Sequence, residues 1–80
     1  MRQYIEILRD IERSMVNQGL SSDLENLHDF QKKFTTDAEF CSATATWLYT
    51  FQVYASYDEL LMDLIDEFGS YCEVNGIHFI

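Results

Sequence analysis

The segment Cys41-Ser42-Ala43-Thr44-Ala45-Thr46-Trp47-Leu48-Tyr49-Thr50-Phe51-Gln52-Val53 decides how this chain is read. Cys41, Ala43, Ala45, Trp47, Tyr49, Phe51 and Val53 fall on one parity. Ser42, Thr44, Thr46, Thr50 and Gln52 fall on the other, and Leu48 breaks the rule. A period of two places the sets on opposite faces of a strand. Thr, Trp, Tyr, Phe and Val also favour strands. The alternation therefore predicts a strand over 41–53. A helix is the competing reading, because Thr36 and Glu39 have the spacing of a capping box. Helical spacing would scatter the apolar set around the axis and bury several threonines.

The strand reading raises a question of length. Thirteen extended residues reach about 43 Å at about 3.3 Å each, whereas a domain of this size measures about 30 Å across. The segment must then be bent, bulged, split or overhanging, with Ala43-Thr44-Ala45-Thr46 as the expected break. Lys32-Lys33-Phe34-Thr35-Thr36 is placed beside it as an edge strand.

Working outward, residues 3–17 read as an amphipathic helix. Tyr4, Leu8, Ile11 and Met15 recur at three- and four-residue spacing, and Gly19 is the expected stop. A second helix starts at a capping box of Ser22 and Glu25, carries Leu24, Leu27 and Phe30 or Phe34, and ends near Lys33. Residues 57–68 form the third, with Ser56 as N-cap and Glu59 completing its box. Leu60, Leu61, Leu64, Ile65 and Phe68 trace its apolar stripe, and Gly69 is expected to end it.

The last ten residues read as a β-hairpin about Asn75-Gly76, the strongest two-residue type I′ signal. This pairs Val74 with Ile77, Glu73 with His78 and Cys72 with Phe79. The expected fold class is α+β: one domain over 1–80, with a small antiparallel sheet and helices on one face. Trp47, Tyr49, Phe51, Tyr71 and their neighbours fill its core.

Composition supports a folded domain. The chain is 48% hydrophobic and 15% aromatic, too apolar for disorder. Its net charge is −9, and the five basic residues Arg2, Arg9, Arg13, Lys32 and Lys33 all precede Phe34. Residues 34–80 carry eight acids and no Lys or Arg. Direct nucleic-acid binding is excluded, because phosphate contacts need cations; anionic membranes are disfavoured for the same reason. Glu6, Arg9 and Asp10 interrupt any apolar leader, and no run approaches a membrane span. A cytoplasmic protein with reduced thiols is expected.

Catalytic and metal signatures are missing. Cys41, Cys72, His28 and His78 form no CxxC, HxxxH or HExxH spacing. No phosphate-cradling glycine loop or nucleophile elbow occurs. Neither a cofactor, a metal nor an enzymatic activity is expected.

The acids of the third helix are the functional candidates. Asp58, Glu59, Asp63, Asp66 and Glu67 lie opposite its core stripe. Asp66 and Glu67 fall in its expected last turn, where the helix dipole disfavours anions. No Lys or Arg on this helix offers an i,i+4 partner. A surface that forgoes local compensation suits cations on a partner. Tyr54 and Tyr57 flank it and add interface-type aromatic contacts. The expected function is regulatory or inhibitory binding to a basic protein surface, such as that of a nucleic-acid-binding protein whose phosphate ligand the acids mimic. The alternative is a structural homodimer or complex subunit joined by sheet edges.

Overall fold

Glu39 N–H donates to Thr36 Oγ1 at 3.2 Å, and that hydroxyl donates to the Glu39 carboxylate at 2.8 Å. The segment beyond this cap is a helix rather than a strand. The computed structural model describes residues 2–55 and 58–79. They form α1 (Tyr4–Asn17), α2 (Ser21–Gln31), α3 (Asp37–Tyr54) and α4 (Glu59–Val74). No strand occurs among the described residues. The α+β expectation is corrected to an all-helical domain.

The threonines explain why helix prevails over 41–53. On the helix, Cys41, Thr44, Ala45 and Leu48 share one buried face. Thr44 is fully buried, and its hydroxyl accepts a 2.9 Å hydrogen bond from Gln31 Nε2, itself buried on α2. Thr50 Oγ1 donates back to the Thr46 carbonyl at 2.8 Å. Thr50 is exposed and Thr44 is satisfied where it is buried, which removes the objection to burying it. Ala43 and Ala45 favour the helix intrinsically and leave room for neighbouring helices. The length problem also disappears. Eighteen residues rise about 27 Å as a helix, which fits a molecule measuring 31 × 26 × 22 Å.

The predicted hairpin is the second correction. Helix α4 runs on to Val74, through the Gly69 that was expected to end it. The apolar series Leu61, Leu64, Ile65, Phe68 continues to Cys72, and all five side chains are buried. Gly76 (φ 68°) ends α4 as a Schellman cap: Gly76 N–H donates to Glu73 O, and Ile77 N–H to Cys72 O at 2.8 Å. Asn75 keeps a negative φ of −94°, which a type I′ turn does not allow. Asn-Gly supplies the same left-handed glycine to a helix end as to a hairpin. Gly19 ends α1 in the same way, with Leu20 N–H on Met15 O at 2.8 Å, as the sequence predicts.

Two helix starts also differ. Helix α2 begins at Ser21, directly after the Gly19 turn, so Ser22 lies inside it and makes no cap. Helix α4 is capped by Asp58, whose Oδ1 accepts from Leu61 N–H at 3.0 Å. Ser56 and Tyr57 lie outside the described residues. Residues 32–36 are the turn between α2 and α3, not an edge strand.

Sequential helices pack as neighbours, and α4 closes the ring against α1 and α3. The core joins Ile7, Ile11 and Met15 of α1, Leu27 of α2, Leu48 of α3, and Leu61, Ile65 and Phe68 of α4. Val53, on the apolar parity of the expected strand, and Val74, in the expected hairpin, are 76% and 71% exposed.

Candidate functional site

Helix α4 buries Leu61, Leu64, Ile65, Phe68, Gly69 and Cys72, which leaves Glu59, Asp63, Asp66 and Glu73 along its exposed side. Of the expected partner-binding residues, Asp58, Glu59, Asp63 and Asp66 do lie on the surface of one element. The expected dipole conflict is absent, because α4 ends eight residues beyond Asp66 and both Asp66 and Glu67 are mid-helix.

The acids are not equivalent. Glu67 is half-buried and held by Arg2, whose Nε and Nη2 donate to its two oxygens at 3.0 and 2.7 Å. Arg2 Nη1 also reaches Asp10 at 2.5 Å. Glu67 is therefore compensated from within, through a contact 65 residues away in sequence. Asp66 accepts a 3.2 Å hydrogen bond from the Tyr49 hydroxyl. Asp58 accepts from Leu61 N–H and from Gln18 Nε2 at 3.2 Å. Glu59 and Asp63 make no ion pair among the described residues.

The Arg2 clamp sets an acid dependence. Hydrogen bonds from Arg2 hold Asp10 and Glu67 below their ordinary values of 3.8 and 4.5. A carboxylate depressed in the folded state stabilises above its ordinary value and loses that contribution as pH falls below it. Arg2→Met should lower Tm by about 2–5 °C at pH 6, a modest figure because the pair is partly solvated. The difference from the parent protein should be smaller at pH 3, below both ordinary values. Thermal melts followed by circular dichroism at both pH values check this; a difference constant with pH contradicts it.

Helix α3 contributes what the sequence pattern did not announce. Residues 40–57 contain no Asp, Glu, Lys or Arg, so its solvent side is uncharged beyond the first turn, which carries Asp37 and Glu39. Tyr54 is 84% exposed at the end of α3. Tyr57 lies outside the described residues. Tyr49 crosses from α3 over Gly69 to reach Asp66, and Phe79 stacks on its ring at 5.4 Å. Desolvation, with Asp66 next to it, pushes the Tyr49 phenol up to about 12.

Two apolar grooves flank Phe34, and sequence reasoning missed both. One of about 350 Å³ opens between α1 and the α2–α3 turn, near Tyr4, Leu8, Phe34 and Phe40. The other, of about 520 Å³, is lined by Phe30, Phe34, Ala43 and Ile77. Phe30 and Phe34, four residues apart about the end of α2, were the available signal. Glu39, the one acid of the larger groove, is already engaged in the Thr36 cap.

The surroundings of both cysteines favour the protonated thiol. Both are buried, and desolvation pushes Cys41 up to about 12 and Cys72 to about 11. Cys72 Sγ donates to the Cys41 carbonyl at 3.7 Å. His28 pairs with Glu12 at 2.7 Å, and the His78 carbonyl accepts from Ser42 Oγ at 2.5 Å. His78 thus has no cross-strand partnership with Glu73. No metal-binding group of three or more His, Cys, Asp or Glu occurs among the described residues, and no helix there is long and apolar enough to cross a membrane. The sheet edges invoked for a homodimer do not exist among those residues. Comparison with protein-family models, curated proteins and solved structures finds no match.

Proposed function

We propose that this chain is a non-catalytic regulatory or inhibitory protein that binds a basic protein surface through the outward row of α4. One observation carries the reading: among the described residues, Glu59 and Asp63 stand exposed without an ion-pair partner, on a helix that has no Lys or Arg. The row sits in the half of the chain that holds almost all the excess charge. Such a field accelerates encounter with cationic surfaces and repels anionic ones. Proteins that bind nucleic acid present cationic surfaces of this kind, and an acidic row can occupy them in place of phosphates. The two free, buried thiols accord with action in a reducing compartment such as the cytoplasm.

Glu59→Lys with Asp63→Lys tests the proposal better than any change at Asp66, because Asp66 also holds Tyr49. Immobilised parent protein should retain basic proteins from a cell lysate at ~0.1 M salt and release them as screening increases. The doubly reversed variant should bind the recovered partner at least tenfold more weakly, with an unchanged helical spectrum. Equal binding by the two proteins, or retention indifferent to salt, overturns the proposal.

A further inference from the structure

Resting on that reading, we infer that the partner contacts this chain with an amphipathic cationic α-helix seated along the outer seam between α3 and α4. Two levels of contact set the antiparallel register of the seam: Cys72 Sγ meets the Cys41 carbonyl, and eight residues further along α3 Tyr49 hydrogen-bonds Asp66 and lies against Gly69. One helical turn further along α3 is Val53; one turn back along α4 is Met62. Extending that register by one turn on each helix brings Val53 and Met62 to the same end of the seam, and they are 76% and 40% exposed. Exposed Tyr54 comes next, at the end of α3. Large apolar side chains left together in water mark a contact surface more often than single ones do.

The acids border this apolar pair on one side only. Glu59, Asp63 and Asp66 succeed one another at four- and three-residue spacing, one turn apart along α4. The α3 side, from Phe40 through Tyr54, offers no charge at all. The surface is thus an apolar strip with an anionic edge. Its complement is a helix with an apolar stripe and Lys or Arg repeating at i, i+3 or i+4, and i+7 along one margin. An unstructured polybasic tail would satisfy the acids and leave Val53 and Met62 uncovered. Nucleic acid and anionic lipid have the wrong sign.

Two synthetic peptides of identical Leu/Lys composition provide the probe. One segregates Leu and Lys onto opposite faces of a helix; the other has the same residues scrambled so that no face forms. Each is titrated by fluorescence anisotropy into the parent protein, Val53→Ser/Met62→Ser and Glu59→Lys/Asp63→Lys. The substituted side chains are surface-exposed, and circular dichroism confirms that each variant keeps its helices. The parent protein should prefer the segregated peptide at least tenfold. Val53→Ser/Met62→Ser should erase that preference while leaving affinity for the scrambled peptide unchanged. Glu59→Lys/Asp63→Lys should weaken both peptides at least tenfold. If the parent binds both peptides equally, or the preference survives Val53→Ser/Met62→Ser, the helix-docking mode is overturned while the acidic-surface reading stands. If charge reversal weakens neither peptide, both are overturned.

Discussion

Phe68→Ala is expected to destabilise the domain by about 3–5 kcal/mol, the range for removing a buried phenylalanine and leaving a cavity. Phe68 is fully buried on α4, the helix that packs against both α1 and α3, so its loss opens the centre of the bundle. A domain of 80 residues has a total stability of roughly 4–12 kcal/mol, at about 0.05–0.15 kcal/mol per residue. The substitution thus removes a large share of the total. The variant should show a urea midpoint far below that of the parent, or be partly unfolded in buffer at 37 °C. Val74→Ser, on the same helix but exposed, should change stability by less than about 0.5 kcal/mol. Urea titrations followed at 222 nm separate the cases. A loss below ~1 kcal/mol for Phe68→Ala, or a loss at Val74 of similar size to that at Phe68, contradicts this packing. The Val74 control is informative because a hairpin would have buried that side chain.

Such contrasts show which parts of the fold were legible in the sequence. Helix α1 and its Gly19 stop were, because an apolar stripe of period 3.6 and a terminal glycine have one common explanation. The body of α4 was legible from its apolar stripe alone, since the glycine expected to end it, Gly69, lies inside the helix. Helix α3 was not, since its buried face is made of Cys41, Thr44, Ala45 and Leu48, residues too small or too polar to register as a stripe. Its larger side chains, Trp47, Tyr49 and Phe51, lie on the flanks, only partly buried against the core, and there they imitate strand alternation. The deciding local signal was the Thr36–Glu39 cap, which outweighed the β propensity of the residues after it. Burying Thr44 depended on Gln31, a partner on another helix that no local pattern reveals. At the C-terminal end, Gly76 adopts the left-handed conformation foreseen for it, but as a helix cap.

The candidate site was legible in its residue types and not in its energetics. Asp58, Glu59, Asp63 and Asp66 do share the surface of one helix. The compensation of Glu67 by Arg2 is tertiary, and so was invisible to i,i+4 bookkeeping. The uncharged run from Phe40 to Tyr57 was visible in the sequence, but a buried strand would have explained it equally well. Only as a helix does it leave Val53 and Tyr54 in water beside an acidic row.

The second large effect concerns Gly69, and its sign should depend on Tyr49. A glycine inside a helix costs about 1 kcal/mol relative to alanine, so Gly69→Ala would ordinarily stabilise α4. Here an added Cβ would overlap the Tyr49 hydroxyl and lie 3.0 Å from its Cε2. The ring must move away, although it is stacked on Phe79 and bonded to Asp66. Losing the stacking is worth about 0.5–1.5 kcal/mol, and losing the hydrogen bond to a charged group about 1.5–3 kcal/mol. These exceed the helix gain, and Gly69→Ala should destabilise the parent by about 2 kcal/mol. In a Tyr49→Ala background the obstruction is gone and only the propensity term remains, so the same substitution should stabilise by up to about 1 kcal/mol. A four-member urea cycle of parent, two single variants and the double variant measures the reversal. Stabilisation by Gly69→Ala in both backgrounds would show that Tyr49 does not cross α4 at this glycine. The Tyr49–Asp66 register would then fail, and with it the placement of Val53 and Met62 at the same end of the seam.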